Sequence, residues 1–138
     1  MTGGTFLFDS EGLSQLFRGE EKAVKRLDLA RKLCARAVIS ALTIPEADHA
    51  AVRRERVRYV LAKLEIEPVT EEIALQAAGL LREHGLHGHK YAIDAVVAAT
   101  ALRMPGPVIV YTSDLDDMLR FCTAPERSKQ EQVKVIRT

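Results

Sequence analysis

Residues 91–118, YAIDAVVAATALRMPGPVIVYTSDLDDM, decide how the rest of the chain is read. Small apolar residues from Tyr91 to Met104 have the length of a helix, and Pro105-Gly106-Pro107 cannot continue it. Val108 to Tyr111 then reads as a buried strand, followed by a turn that carries Asp114, Asp116 and Asp117. Within the helix one carboxylate, Asp94, stands among Ile93, Ala95, Val96, Val97, Ala98 and Ala99. An unpaired charge is expensive to bury in such surroundings, so Asp94 belongs at an edge, with a partner, or beside a cation. In a parallel α/β sheet the strand ends and helix starts meet at one rim, where Asp94 and Asp114 could converge.

The remaining chain brings more acids to positions of the same kind. Thr5 to Phe8 is a short buried strand that stops at Asp9-Ser10, and Asp9 also suits an N-cap of the helix that follows. Leu13 to Phe17 and Ala23 to Arg36 read as one short and one longer amphipathic helix, the second with a basic solvated face running from Lys22 to Arg36. A second strand is expected at Ala37 to Ser40. Just beyond it Thr43 and Glu46 are spaced as a capping box, with Pro45 in a first helical turn. Glu46 therefore has a structural role available as well as a chemical one, and either role puts it at a helix start next to a strand end.

A helix through Ala47 to Leu64, broken or reoriented near Ala51, carries the basic cluster Arg53, Arg54, Arg56 and Arg58. Ile66 to Val69, with Pro68, suggests an edge strand. Thr70 caps the next helix, which Gly85 ends. His84, His87 and His89 then fall in a glycine-rich loop; without cysteine partners or an i, i+4 His pair, they read as a solvated or substrate-facing loop. Asp114 to Cys122 forms a short helix, Ala124 to Gln132 a loop, and Val133 to Ile136 a final edge strand. Strands alternating with helices in this way predict one domain over residues 1–138. Its fold class is a three-layer α/β/α sandwich on a mainly parallel central sheet.

Composition narrows the partners. The chain has 138 residues, 47 % apolar and 28 % charged, with a net charge of +1, so contact with nucleic acid would need a local basic patch. Two cysteines, Cys34 and Cys122, lie in separate apolar segments without CxxC spacing and are expected to be reduced core residues. No apolar run approaches the roughly 18 to 20 residues of a membrane span, which predicts a cytoplasmic protein.

Asp9, Glu46, Asp94 and Asp114 thus come from four separate segments, with Asp116 and Asp117 beside the last. Gathered without a cation they would repel one another and hold their protons. With Mg2+ or Mn2+ the cluster becomes favourable, because hard cations take oxygen ligands. Such a site suits phosphodiester hydrolysis by a metal-activated water, and paired ions do this at a spacing of about 3.5 to 4 Å. The chain offers no glycine-rich phosphate loop, GxSxG elbow or HExxH motif.

In FLFDS with Asp9, SALTIPE with Glu46, YAIDAVVAATAL with Asp94 and VYTSD with Asp114, the sequence resembles the PIN-domain nucleases, particularly VapC-type toxins of bacterial toxin–antitoxin pairs. The resemblance covers nearly the whole chain. It implies an Mg2+- or Mn2+-dependent endoribonuclease that leaves a 5′-phosphate and a 3′-hydroxyl on RNA, tRNA being one candidate. It implies metal ligation by Asp9, Glu46, Asp94 and Asp114, Asp117 as an additional acid, and Thr112 and Ser10 as residues that orient the carboxylates. It further implies a homodimer, and a small antitoxin whose tail fills the acidic groove. The alternative from another class is a catalytically silent PIN-like module that only binds RNA or protein, and such a module would not need to keep four carboxylates.

Overall fold

The computed structural model describes residues 3–138. Five strands form one sheet: β1 (Thr5–Phe8), β2 (Arg36–Ser40), β3 (Glu65–Glu67), β4 (Val108–Thr112) and β5 (Lys134–Arg137). Their order is β3-β2-β1-β4-β5, and every pairing is parallel. Seven helices cover it: α1 (Ser10–Phe17), α2 (Glu21–Lys32), α3 (Thr43–Ala47), α4 (Arg54–Leu61), α5 (Glu71–Glu83), α6 (Gly88–Arg103) and α7 (Leu115–Cys122). The expected strand and helix order and the three-layer parallel architecture are therefore both found.

Alternation along the strands builds the two cores, since successive side chains leave a strand on opposite faces. Phe6, Phe8, Ile39 and Tyr111 point to the face covered by α1 to α4, where they pack on Leu13, Leu16, Leu27, Val57 and Val60. Leu7, Val38, Val108 and Val110 point to the other face, against α5, α6 and α7. There α6 is buried nearly all round from Ala95 to Ala101, which explains why its sequence lacks a polar stripe. Small residues suit a helix wedged between two others and a sheet.

Parallel strands also set the direction of every connection. Because α6 leads into the start of β4, it runs antiparallel to the strands, and its N-terminal turns stand at the rim where β1 and β4 end. Helix α7 starts at that rim and α1 leaves it. At the opposite rim the Gly106-Pro107 bond is cis, and Pro107 accepts the amide of Thr5 at 2.9 Å. Gly4, at φ +87°, lies against this turn so closely that a Cβ would meet the Pro107 carbonyl oxygen at 2.2 Å.

Several local expectations are corrected. Helix α2 ends at Lys32, and Cys34 is an exposed residue at φ 55° in the turn after it rather than a core residue, whereas Cys122 is buried as expected. The break near Ala51 is real, since α3 stops at Ala47 and α4 begins at Arg54. Helix α6 starts at Gly88, one turn before Tyr91, so His89 is helical. His84 closes α5 and packs its ring edge-on against Phe121. Parts of the basic surface are also structural: Arg56 donates to the carbonyls of Leu16 and Phe17, and Arg26 lies 4.3 Å over the Tyr111 ring.

Candidate active site

Parallel pairing of β1 with β4 extends one residue past Phe8, where the Asp9 amide donates to the Tyr111 carbonyl at 3.0 Å. Asp9 is thereby fixed at the rim, and both of its carboxylate oxygens are used. Oδ1 accepts the Gly12 amide at 2.9 Å and caps α1, while Oδ2 accepts the Ser113 amide at 3.0 Å. The expected N-cap role and a place in the acidic site are filled by the same side chain. Asp9 is 4 % exposed, and burial raises its pKa against the lowering effect of the Gly12 amide, the Thr112 hydroxyl and the Ser113 and Glu11 amides.

The turn after β4 delivers Asp114. Thr112 Oγ1 accepts the Asp114 amide at 3.0 Å and also bonds Asp9, so one hydroxyl orients two of the acids. Glu46 reaches the rim from the first turn of α3, six residues past the end of β2. The capping box expected there does not form. Helix α3 starts at Thr43, whose hydroxyl donates instead to the Ser40 carbonyl at 2.7 Å, and no side chain caps the helix. Glu46 is consequently exposed and not engaged in a cap.

Asp94 comes from α6. Its side chain bonds Asp114 and lies within the fields of Asp9 and Glu46, and its pKa is pushed up to about 7. Burial is the largest cause; the charge of Asp114, the charge of Asp9, a hydrogen bond with Asp114 and the charge of Glu46 follow. Asp9, Glu46, Asp94 and Asp114 line one cleft of about 350 Å3, together with Ser10, Glu11, Ser14, Lys90, Ile93 and Ser113. All four acids named from the sequence therefore open onto a common space.

Asp117 stands beside Asp114 but does not line the cleft. It is 9 % exposed, accepts Arg120 at 2.5 Å, and has its pKa raised by burial and by its hydrogen bond with Asp114. Asp116, His87 and His89 are exposed and outside the cleft, and His84, half-buried, is outside it as well. Sequence reading missed Lys90, Glu11 and Ser14. Lys90 precedes Asp94 by four residues, a spacing that would have put it on the same helical face had the helix start been read at Gly88.

Among the described residues no three His, Cys, Asp or Glu side chains are drawn together closely enough to hold an ion as they stand. The chemistry of the cleft nevertheless fits a hard divalent cation. Its donors are carboxylate and hydroxyl oxygens, Asp94 is driven towards its protonated form by burial and then by its acidic neighbours, and Ser10 Oγ is buried without a hydrogen-bond partner.

A family model for the PIN domain matches residues 6–122, a span that contains all four acids. The chain belongs to the PIN-domain family. PIN domains are generally nucleases, and they typically use divalent metals. Two solved structures share the fold of this PIN domain. One is VapBC2 from Rickettsia felis bound to a DNA fragment from their promoter, with a TM-score of 0.67 and 13 % identity over 97 % of this chain and 98 % of that one. The other is a toxin–antitoxin complex from Klebsiella pneumoniae, with a TM-score of 0.62 and 24 % identity over 92 % and 98 %. No curated protein matches the chain. Among the described residues no helix is long and apolar enough to cross a membrane.

Proposed function

We propose that this PIN domain is a divalent-metal-dependent endoribonuclease, the toxin of a VapC-type toxin–antitoxin pair. The observation that carries this reading is the cleft lined by Asp9, Glu46, Asp94 and Asp114, from four separate segments, in which the pKa of Asp94 is pushed up to about 7. Asp9, Glu46, Asp94 and Asp114 would hold Mg2+ or Mn2+ there. A bound ion supplies the acidity that lets water attack phosphorus at neutral pH, and it offsets charge on the leaving oxygen. The chain supplies position. Asp9 is locked by two amides, Asp114 is aimed by Thr112, and Ser10 can bond a water or a phosphate oxygen. No side-chain nucleophile is required.

Regulation follows from the same chemistry. An acidic cleft attracts the guanidinium of a partner's arginine as well as a metal, so a small antitoxin with a basic tail would inhibit by occupying the site. The two similar structures support a protein partner, since one is a toxin–antitoxin complex and the other is VapBC2 bound to a promoter DNA fragment. We place the active form as a homodimer of this single domain, with RNA as substrate and tRNA among the candidates.

The test is expression of the chain beside its Asp94→Asn variant, with RNA ends mapped in the cells. Growth arrest and new 5′-phosphate ends with the wild type alone would support the reading. A folded wild type that binds RNA and cuts none in Mg2+ or Mn2+ would point to the silent module instead.

A further inference from the structure

Among the described residues, the cleft that must accept a polyanion is lined by five acids and a single cation, Lys90. Resting on the nuclease reading of this cleft, we infer that Lys90 grips the RNA phosphate next to the one being cut. Lys90 lies on α6 four residues before Asp94, so it stands on the same face about one turn, or about 5.4 Å, farther out over the cleft. That offset is of the order of the step between successive phosphates on one strand.

The ammonium is available for this task. Lys90 is exposed, and among the described residues it makes no ion pair; its Nζ lies 5.2 Å from the Tyr91 ring. An intrahelical pair with Asp94 is the plain structural alternative. Lysine placed N-terminal to the acid is the weaker orientation for such a pair, and the pair is not made. Electrostatics argue the same way. The chain carries only +1 overall, so attraction of RNA to this rim needs a local positive charge, and among the described residues Lys90 is the only one lining the cleft. A lysine acts there as a mobile point charge, suited to a phosphate of any sequence.

The test measures binding and cleavage separately. A fluorescent single-stranded oligo(U) of about 12 nucleotides is titrated with Asp94→Asn and with Asp94→Asn/Lys90→Ala in Mg2+ over a series of salt concentrations. Loss of one phosphate contact predicts roughly 5-fold weaker binding and a salt slope smaller by about 0.7. Lys90→Arg in the same background should restore both, and melting temperatures should stay equal because the side chain is exposed. In the cleavage arm Lys90→Ala raises KM and leaves kcat within a few-fold. Equal affinity and slope with and without Lys90, or a loss confined to kcat, overturns the assignment of Lys90 while the nuclease reading stands. A wild type that cuts no RNA overturns both.

Discussion

Asp9 Oδ2 accepts the backbone amide of Ser113 at 3.0 Å, tying the end of β1 to the turn that presents Asp114, 104 residues away. Asp9 is therefore a structural joint as well as an acid of the cleft, whereas Asp94 bonds only another acid, Asp114, amid charges that oppose its ionisation. The two acids should respond to the same substitution with opposite signs in stability.

Asp9→Asn keeps one carbonyl oxygen but turns an NH2 group towards either the Gly12 or the Ser113 amide, donor facing donor. One of the two bonds is lost and one buried donor is left without a partner, at a cost of about 1–3 kcal/mol. The melting temperature should fall by roughly 4 °C or more in thermal unfolding. An unchanged melting temperature would show that these bonds do not hold the rim together.

Asp94→Asn should do the reverse in the absence of divalent ions. The folded pKa of Asp94 is about 7 against 3.8 for the free side chain, so the native state binds the proton more tightly than the unfolded state does. The stability from this group is complete below about pH 3.8 and is lost as pH rises through about 7. The asparagine variant does not titrate there. Its melting temperature minus that of the wild type should grow from pH 4 to pH 8, reaching roughly 4 °C, or about 1 kcal/mol after allowance for solvent screening. Millimolar Mg2+ should shrink or invert the difference, because only the wild type retains all four of the proposed ligands. A difference flat with pH would remove the charge crowding on which the site rests.

Arg120 offsets the charge of Asp117 where it crowds Asp114. Arg120→Ala should destabilise the metal-free protein by about 1 kcal/mol at pH 8, a modest figure because the guanidinium is half exposed. Adding Asp117→Asn should restore most of that loss in a double-mutant cycle. Since Asp117 does not line the cleft, Asp117→Asn should cost about 10-fold in cleavage, against roughly 100-fold or more for Asp94→Asn. Equal losses in the two variants would put Asp117 among the metal ligands.

The fold was legible because its determinants are local and periodic. FLF, VIVYT and the punctuating Pro105-Gly106-Pro107 read as strand and stop on pattern alone, and α6 announces its burial by having no polar stripe. The acids were legible because each sits at a junction of strand and helix, where a parallel sheet gathers its ends. What pattern could not resolve was competition between nearby hydrogen-bond partners. The Thr43 hydroxyl chose the Ser40 carbonyl over a cap, which left Glu46 exposed. Cys34 fell outside the core because α2 stops one turn before its apolar spacing does. Lys90 was missed through the same weakness at helix boundaries, since glycine and histidine disguised the first turn of α6 as loop.

Because Asp9 is oriented by an amide donated from Ser113, an early segment owes its shape to one synthesised much later. A chain that has reached only β3 holds Asp9 by the Gly12 amide, and translation must pass β4 before Ser113 supplies the second bond and Asp114 joins the cleft. Under the proposed endoribonuclease activity, this ordering is a built-in delay. Chains ending before Ser113 should cleave no RNA in the assay that detects cleavage by the full chain.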